Sequence, residues 1–355
     1  MMEPITIMMS ASGSQFAPGI IKCFKNNGER KITVIGGDMS SDPTNKYLVD
    51  KFYMVPAAKD PTYADTILEI CKKEKVDIFV PQMSAELPIL LDNIERFDDA
   101  GIKVSMTRNE NLNVANNKLK LFDFMKENEI PVSKYSVIKS MDDFDRAISE
   151  VGYPEKPVCV KMTEGSGARG VRIIDASKSR YHIFAYEKPD SFFISYEDMK
   201  KTLEEADEFP ELMVMEYLSG DEYDVDLVAD NGNILYMAGR RNPVMVMSIT
   251  QESVLEKNEE AYRIAESVVK KLKLDGNIGI DFKFAEDGSC RLLEINPRID
   301  ATVSIFAAGG LNLPYLQVKH LLGENLPEID VKYGTRLKRR YWEMFTDQDE
   351  NMLDW

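Results

Sequence analysis

Histidine is nearly absent: the 355-residue chain has two, His182 and His320. A histidine metal cage or a Ser-His-Asp triad has little material to draw on. The four cysteines, Cys23, Cys71, Cys159 and Cys290, stand singly, with no C-x-x-C pair and no Cys/His ligand spacing. That pattern suggests neither a zinc site nor a disulfide framework. Positive charge is the minority sign, with 44 Lys+Arg against 60 Asp+Glu and a net charge of −16. Such a balance repels nucleic-acid phosphates and anionic membranes, and the short runs Lys270-Lys271 and Lys338-Arg339-Arg340 are too small to reverse it. Neither nucleic acid nor a membrane is expected as a partner. No apolar run approaches ~18 residues, and Met-Met-Glu-Pro-Ile-Thr-Ile at the N-terminus is not a signal peptide. A reducing cytoplasm fits these absences.

What the chain does have is the composition of an ordinary globular protein, 44% hydrophobic and 29% charged. At roughly 150 residues per domain, two or three units are expected, with a core that needs no staples. Roughly the first 110 residues alternate strand and helix: Ile5 to Met9, Ala17 to Asn26, Ile32 to Ile35, Tyr63 to Lys73, Val76 to Val80 and Val104. That alternation predicts a parallel sheet with crossover helices. The turn after the first strand, Ser10 to Gly19, does not match the G-x-G-x-x-G dinucleotide fingerprint. Asp38 lies near where a ribose-binding acid would sit, but a tight turn is the better reading.

Further along, Asn116 to Glu129 and Phe144 to Val151 read as helices. Pro157 to Lys161 is a strand, followed by the glycine loop Gly165 to Gly170 and a strand at Val171 to Ile174. Strand–loop–strand differs from a Walker A motif, which opens a helix with G-K-[ST]. Strands follow at Met213–Tyr217, Tyr223–Ala229 and Ile234–Ala238, then a helix at Tyr262–Leu272 and a hairpin from Gly279 to Ile295. No internal repeat is present.

The hairpin carries the most informative residues. Asp281 and Glu294 sit on its two strands and can face each other, while Glu294 and Asn296, two apart, share a face. Two carboxylates and an amide oxygen are hard donors suited to Mg²⁺. Arg298, just beyond, can clamp a phosphoryl group or a carboxylate. Lys161 ends a strand at the glycine loop, where a point charge can neutralise phosphates; Lys118 opens a helix and alone reads as solvated. Glu216-Tyr217-Leu218 offers backbone groups for an adenine edge and Glu222 a ribose acceptor, although an acidic turn is the commoner meaning of such a stretch.

Taken in order, Lys118, Lys161, Gly165–Gly170, Glu216–Leu218, Glu222, Asp281, Glu294, Asn296 and Arg298 resemble the ATP-grasp superfamily, closest to single-copy relatives of the carbamoyl-phosphate synthetase large subunit. The resemblance spans about residues 3 to 325. It implies an α/β fold: an N-terminal doubly wound pre-ATP-grasp domain over residues 1–112, then an ATP-grasp unit of two α+β subdomains over 113–330. Residues 113–212 would form the central and lid subdomains, 213–330 the metal and substrate subdomain, and 331–355 a C-terminal segment with an acidic tail from Phe345.

The resemblance also implies roles. Lys118 and Lys161 would contact ATP phosphates, with Gly165, Ser166, Gly167 and Gly170 closing over them. Glu216, Tyr217 and Leu218 would frame adenine, and Glu222 would hold the ribose. Asp281, Glu294 and Asn296 would hold one or two Mg²⁺, or Mn²⁺, and Arg298 would steady an acyl phosphate. The implied reaction is ATP-dependent ligation of a carboxylate to an amine or thiol, releasing ADP and phosphate, on a small amino-acid-like substrate. Carbamoyl-phosphate-type chemistry on bicarbonate or carbamate, or ATP binding without catalysis, are the alternatives. Asp281 stands where the family often has Gln or Glu, a single copy replaces the tandem pair, and a homodimer is plausible by base rate. Arg241 is expected at the catalytic centre, and Arg240, Gln82 and Glu86 are open as substrate contacts, Glu86 for an amine.

Overall fold

The structure is a computed structural model that describes residues 2–163, 169–246, 248–348 and 351–353. Its first sheet is built from β1 (Ile5–Met9), β2 (Ile32–Asp38), β3 (Lys51–Met54), β4 (Ile78–Val80) and β5 (Lys103–Val104), interleaved with α1 (Ala17–Lys25), α2 (Tyr63–Glu74), α3 (Leu87–Asp92) and α4 (Ile94–Asp99). The strands are all parallel, in the order β3-β2-β1-β4-β5. Parallel sheets need cover on both faces. On one, Met8, Ile35 and Phe79 pack with Ile67, Leu87 and Phe97 of α2–α4. On the other, Ile7, Met9 and Val34 meet Phe24 of α1 and, from the far end of the chain, Phe306 and Leu316.

The helix expected from Asn116 to Glu129 is α6 (Lys118–Glu127), preceded by the short α5 (Leu112–Ala115). Asn117 separates them: its backbone is extended and its side chain accepts from the Lys120 N–H as the cap of α6. The second sheet follows, with β6 (Tyr135–Ile138), α7 (Met141–Val151), β7 (Val158–Met162), β8 (Arg172–Ile174), α8 (Arg180–Tyr186), β9 (Phe193–Ile194), α9 (Tyr196–Glu204) and β10 (Leu212–Glu216). Its order is β6-β10-β7-β8-β9, and it has a core of its own around Phe144, Val160, Met199 and Val214.

The third sheet takes β11 (Glu222–Asp230), β12 (Asn233–Val246), β13 (Ile249–Leu255), β14 (Gly276–Phe284), β15 (Cys290–Asn296) and β16 (Arg336–Lys338), with α10 (Glu259–Leu272), α11 (Ser304–Ala308) and α12 (Leu313–Leu321). The order β15-β14-β11-β12-β13-β16 is antiparallel throughout. β12 runs well past the expected end at Ala238, because the register slips between Arg241 and Val244 and Pro243 sits in that irregularity, where no ladder N–H is demanded of it. Among the described residues, no helix is long and apolar enough to cross a membrane.

Candidate functional site

The third sheet sets one rung of charged side chains on a single face. Glu294 pairs directly with Asp281, Asp281 with Asp224, and Asp224 with Arg240. Side chains directly opposite on antiparallel strands share a face, and alternation brings residues two away to the same side. Asn296 and Asp226 therefore flank the rung on one side, with Gly279 between them; Glu222 flanks it on the other, opposite Lys283 and Asn242. A Cβ on Gly279 would stand 3.1 Å from the Asp300 Cβ, so glycine there lets Asp300 close onto the sheet.

Arg240 anchors this face. It is 1% exposed, and its Nη2 lies 2.6 Å from both Asp224 Oδ2 and Asp300 Oδ1. Asp226 Oδ2 lies 3.6 Å from Nε, and Nη1 donates to Asn242 Oδ1 at 2.7 Å. One guanidinium faces three carboxylates, so the group carries surplus negative charge. Asp300 takes the largest share: against the cost of burial, Arg240 and the Thr302 N–H hold its carboxyl below the usual range. Burial pushes Asp224 up to about 7, with Asp300 and Glu222 adding to the rise against Arg240. Asp226 is raised as well, by burial and by Asp300.

Arg241 belongs elsewhere. Its cross-strand partner is Tyr223, so it lies on the opposite face, where its guanidinium binds Asp221 and Glu256 at 3.1 Å each. The expectation of Arg241 at the catalytic centre is corrected: strand alternation separates it from Asp281 and Glu294. Glu86 is corrected as an amine contact. It is fully buried, and it accepts from Ser10 Oγ at 2.6 Å, from the Gln82 and Met83 N–H groups at 2.7 Å, and from the Tyr63 hydroxyl. Gln82 is buried against the same turn, its Nε2 on Pro81 O. Asp38 accepts the Gly13 N–H at 2.8 Å and the Ser40 N–H at 3.0 Å, which makes it the clamp of the tight turn after β1.

At the other end of the rung, two lysines meet the acids. Lys118, the first residue of α6, puts its Nζ 2.7 Å from Glu294 Oε2. Lys161 on β7 is buried 5.8 Å over the Phe122 ring, and burial lowers its pKa despite the nearby Glu294. Burial would raise Glu294, but Lys118 and Lys161 hold it below the usual range. Asp281 is pushed well up by burial and by Asp224, Glu294 and Asp300. Asn296 bridges: its Nδ2 donates to Asp281 Oδ2 at 3.0 Å, and its Oδ1 accepts from Arg298 Nη2 at 3.1 Å.

Glu216 closes β10, and Tyr217 and Leu218 continue from it. The Glu216 and Tyr217 N–H groups bond Lys134 O and Pro157 O, whereas no acceptor among the described residues meets the N–H of the buried Leu218. That leaves one main-chain donor at a wall formed with Phe122, Met213 and Cys159. Glu222 is drawn to the charged rung: burial raises it, countered by Lys283 and Arg240. Gly165, Ser166 and Gly167 lie outside the described residues. Gly170 is exposed with φ +73°, a conformation that favours glycine, and a Cβ there would meet Met162 Cγ at 2.6 Å.

A cavity opens between this face and Phe16 of the first domain, lined also by Glu222, Asp224, Arg240, Asp281 and Asp300. Asp224, Asp226 and Asp300 were not singled out from the sequence. The alternation of Glu222, Asp224 and Asp226 with apolar Tyr223, Val225 and Leu227 was the available signal for the first two.

Residues 208–341 match a family model described as ATP-grasp in the biosynthetic pathway with Ter operon. The chain carries an ATP-grasp domain. Ahead of it, residues 7–105 match the PylC-like N-terminal domain. The carbamoyl phosphate synthase large chain of Clostridium acetobutylicum is 25% identical over 320 residues, which cover 87% of this chain and 27% of that protein. The chain thus spans about a quarter of the length of the curated relatives it matches. Among solved structures, N5-carboxyaminoimidazole synthetase from Staphylococcus aureus complexed with ADP superposes with a TM-score of 0.66 at 15% identity, covering 92% of this chain and 80% of that one. Biotin carboxylase from Campylobacter jejuni, in a β,γ-ATP complex, gives a TM-score of 0.66 at 17% identity over 91% of this chain and 72% of that one. These likenesses establish the fold expected from the sequence, an N-terminal α/β domain followed by an ATP-grasp domain.

The ATP-grasp domain's donor set fits a hard divalent cation. Among the described residues, no three His, Cys, Asp or Glu side chains are grouped as a metal site. The fit rests instead on two carboxylates and the Asn296 amide, which already touch one another. Burial, and after it the neighbouring carboxylates, raise Asp281, a cost to its ionised form that a cation would relieve.

Proposed function

We propose that this ATP-grasp protein is an ATP-dependent ligase that joins a small, amino-acid-like carboxylate to an amine through an acyl phosphate, releasing ADP and phosphate. One observation carries the reading: Lys118 and Lys161 converge on Glu294, beside Asp281, Asn296 and Arg298, where the second and third sheets meet. Phosphoryl transfer needs positioning and charge neutralisation more than a protein nucleophile, and this group supplies both.

In this mechanism the two ammonium groups hold the ATP phosphates while Leu218 N–H is available to the adenine edge and Glu222 to the ribose. A carboxylate oxygen of the substrate attacks the γ-phosphorus, and the β,γ-bridging oxygen leaves with ADP. Arg298 steadies the acyl phosphate. The amine nitrogen then attacks the acyl carbon, phosphate departs, and the nitrogen loses a proton. Asp281, Glu294 and Asn296 would hold Mg²⁺, with Mn²⁺ equally suited to their oxygens and room in the proposal for one ion or two; when bound, the cation neutralises phosphate charge. Action in the cytoplasm and pairing of two copies belong to the same proposal. The similarity to carbamoyl phosphate synthase favours a second reading, carbamoyl-phosphate-type chemistry on bicarbonate or carbamate.

The test is release of ADP and phosphate with Mg·ATP across amino acids, dipeptides, hydroxy acids, and bicarbonate with ammonia. Release is expected to depend on one carboxylate and to vanish in Lys161→Ala and Glu294→Gln. Bicarbonate-dependent release would select the second reading. AMP and pyrophosphate as products would refute both.

A further inference from the structure

Beyond β16, the last strand of the third sheet, comes Arg339, half-buried against the cavity wall. Its Nε donates to Thr250 O at 2.7 Å, and its Nη2 reaches Thr302 Oγ1 at 3.3 Å and Ala301 O at 3.4 Å. The guanidinium carbon lies 5.6 Å from the centre of the Phe16 ring. All four of these residues line the cavity that also takes in Asp281. Three separate parts of the chain thus hold one guanidinium at one wall: the turn after β1, the β12–β13 hairpin and the loop after β15.

The two buried guanidiniums among the described residues have acids. Arg240 has Asp224 and Asp300, and Arg30 has Glu324. Arg339 has none: among the described residues no carboxylate lies within ion-pairing distance of it, and no acceptor meets its Nη1. Burial and the neighbouring Arg240 lower its pKa, and Asp300, which opposes them, is already committed to Arg240. A half-buried, oriented guanidinium without a counter-ion is suited to a carboxylate, to which its uncommitted Nη1 can donate. Glu222 and Asp224 on the same cavity suit an ammonium group.

We propose that Arg339 is a specificity-determining residue that binds a carboxylate of the substrate seated in this cavity. The proposal rests on the ligase reading above and narrows it. The substrate class is a zwitterionic molecule, its carboxylate on Arg339 and its ammonium among the acids.

Arg339→Gln tests it by removing the charge and the guanidinium's outer donors, with Arg339→Lys as the variant that keeps the charge. Malonate is the probe, titrated by thermal shift against wild type, Arg339→Gln and Arg339→Lys, with and without Mg·AMP-PNP. The expected result is a malonate midpoint raised at least tenfold in Arg339→Gln and largely restored in Arg339→Lys. The AMP-PNP midpoint is expected to stay within twofold in all three proteins. With any carboxylate that supports turnover, KM for that carboxylate is expected to rise in Arg339→Gln while KM for ATP holds. Equal malonate midpoints in wild type and Arg339→Gln, or no malonate response in wild type, would overturn the assignment. Loss of AMP-PNP binding in wild type would instead strike the ligase reading, and the nucleotide-free malonate series would still decide the role of Arg339.

Discussion

Lys161 stands in a place that disfavours a cation. Burial lowers its pKa below the 10.5 of an ordinary lysine, so it sheds its proton earlier on a rising pH scale. If its ammonium holds phosphate, nucleotide binding brings the proton back, and affinity is lost as pH rises through the lowered pKa. AMP-PNP affinity measured from pH 7 to 10 should therefore fall earlier than an ordinary lysine would allow. Lys161→Arg, always charged, should flatten that fall; the same decline in both proteins would place the titrating group elsewhere. Residues of this kind differed in how far the sequence disclosed them. Glu294 and Asn296 were legible because a spacing of two on a strand fixes a shared face. Arg240 and Arg241 were ambiguous because neighbouring positions look alike until the partner strands are known. Asp224 then claims one and Tyr223 the other. Arg339 was hidden for a related reason, since its meaning depends on Phe16, Thr250 and Thr302, all distant in sequence.

Pairing between strands is where the charged rung gets its precision. β11 and β12 approach closely at Gly239, where a Cβ would fall 1.8 Å from the Tyr223 hydroxyl oxygen. That hydroxyl is fixed by its bond to Glu256 O at 2.7 Å. Gly239→Ala should therefore cost about 1–3 kcal/mol, the range for overpacking a well-filled interior. Tyr223→Phe in the same background should recover part of the loss, because it removes the nearest colliding atom. Urea unfolding of the two single variants and the double variant measures this; an unchanged midpoint in Gly239→Ala would mean the strands yield freely. Element boundaries followed the local hydrophobic pattern at β1, α1 and α2. They departed from it where tertiary pairing took over, as in the continuation of β12 past Pro243 and the recruitment of Arg336–Lys338 as an edge strand. Nothing local marks either segment as a strand.

Across the whole molecule, the hydrophobic interior is divided unequally. The second sheet keeps Phe144, Val160, Met199 and Val214 to itself, whereas one core unites Ile7 and Phe24 of the first domain with Leu255, Phe306 and Leu316. Ion pairs reinforce the union, Arg30 with Glu324 and Lys319 with Glu29. Cooperative units follow shared cores. Hydrogen exchange should therefore show residues 135–214 opening as one unit and the first domain protected together with α11 and α12. Protection lost at a single common rate across all three sheets would contradict this division. The shared core also orders events during synthesis. The N-terminal sheet leaves the ribosome with α1 on one face, yet its covering partners around Ile299 to Val318 are made some two hundred residues later. A nascent chain must carry that greasy half-open face through most of its elongation. A premature stop before those residues would release a fragment whose sheet had never been closed, a natural client for chaperones and proteases.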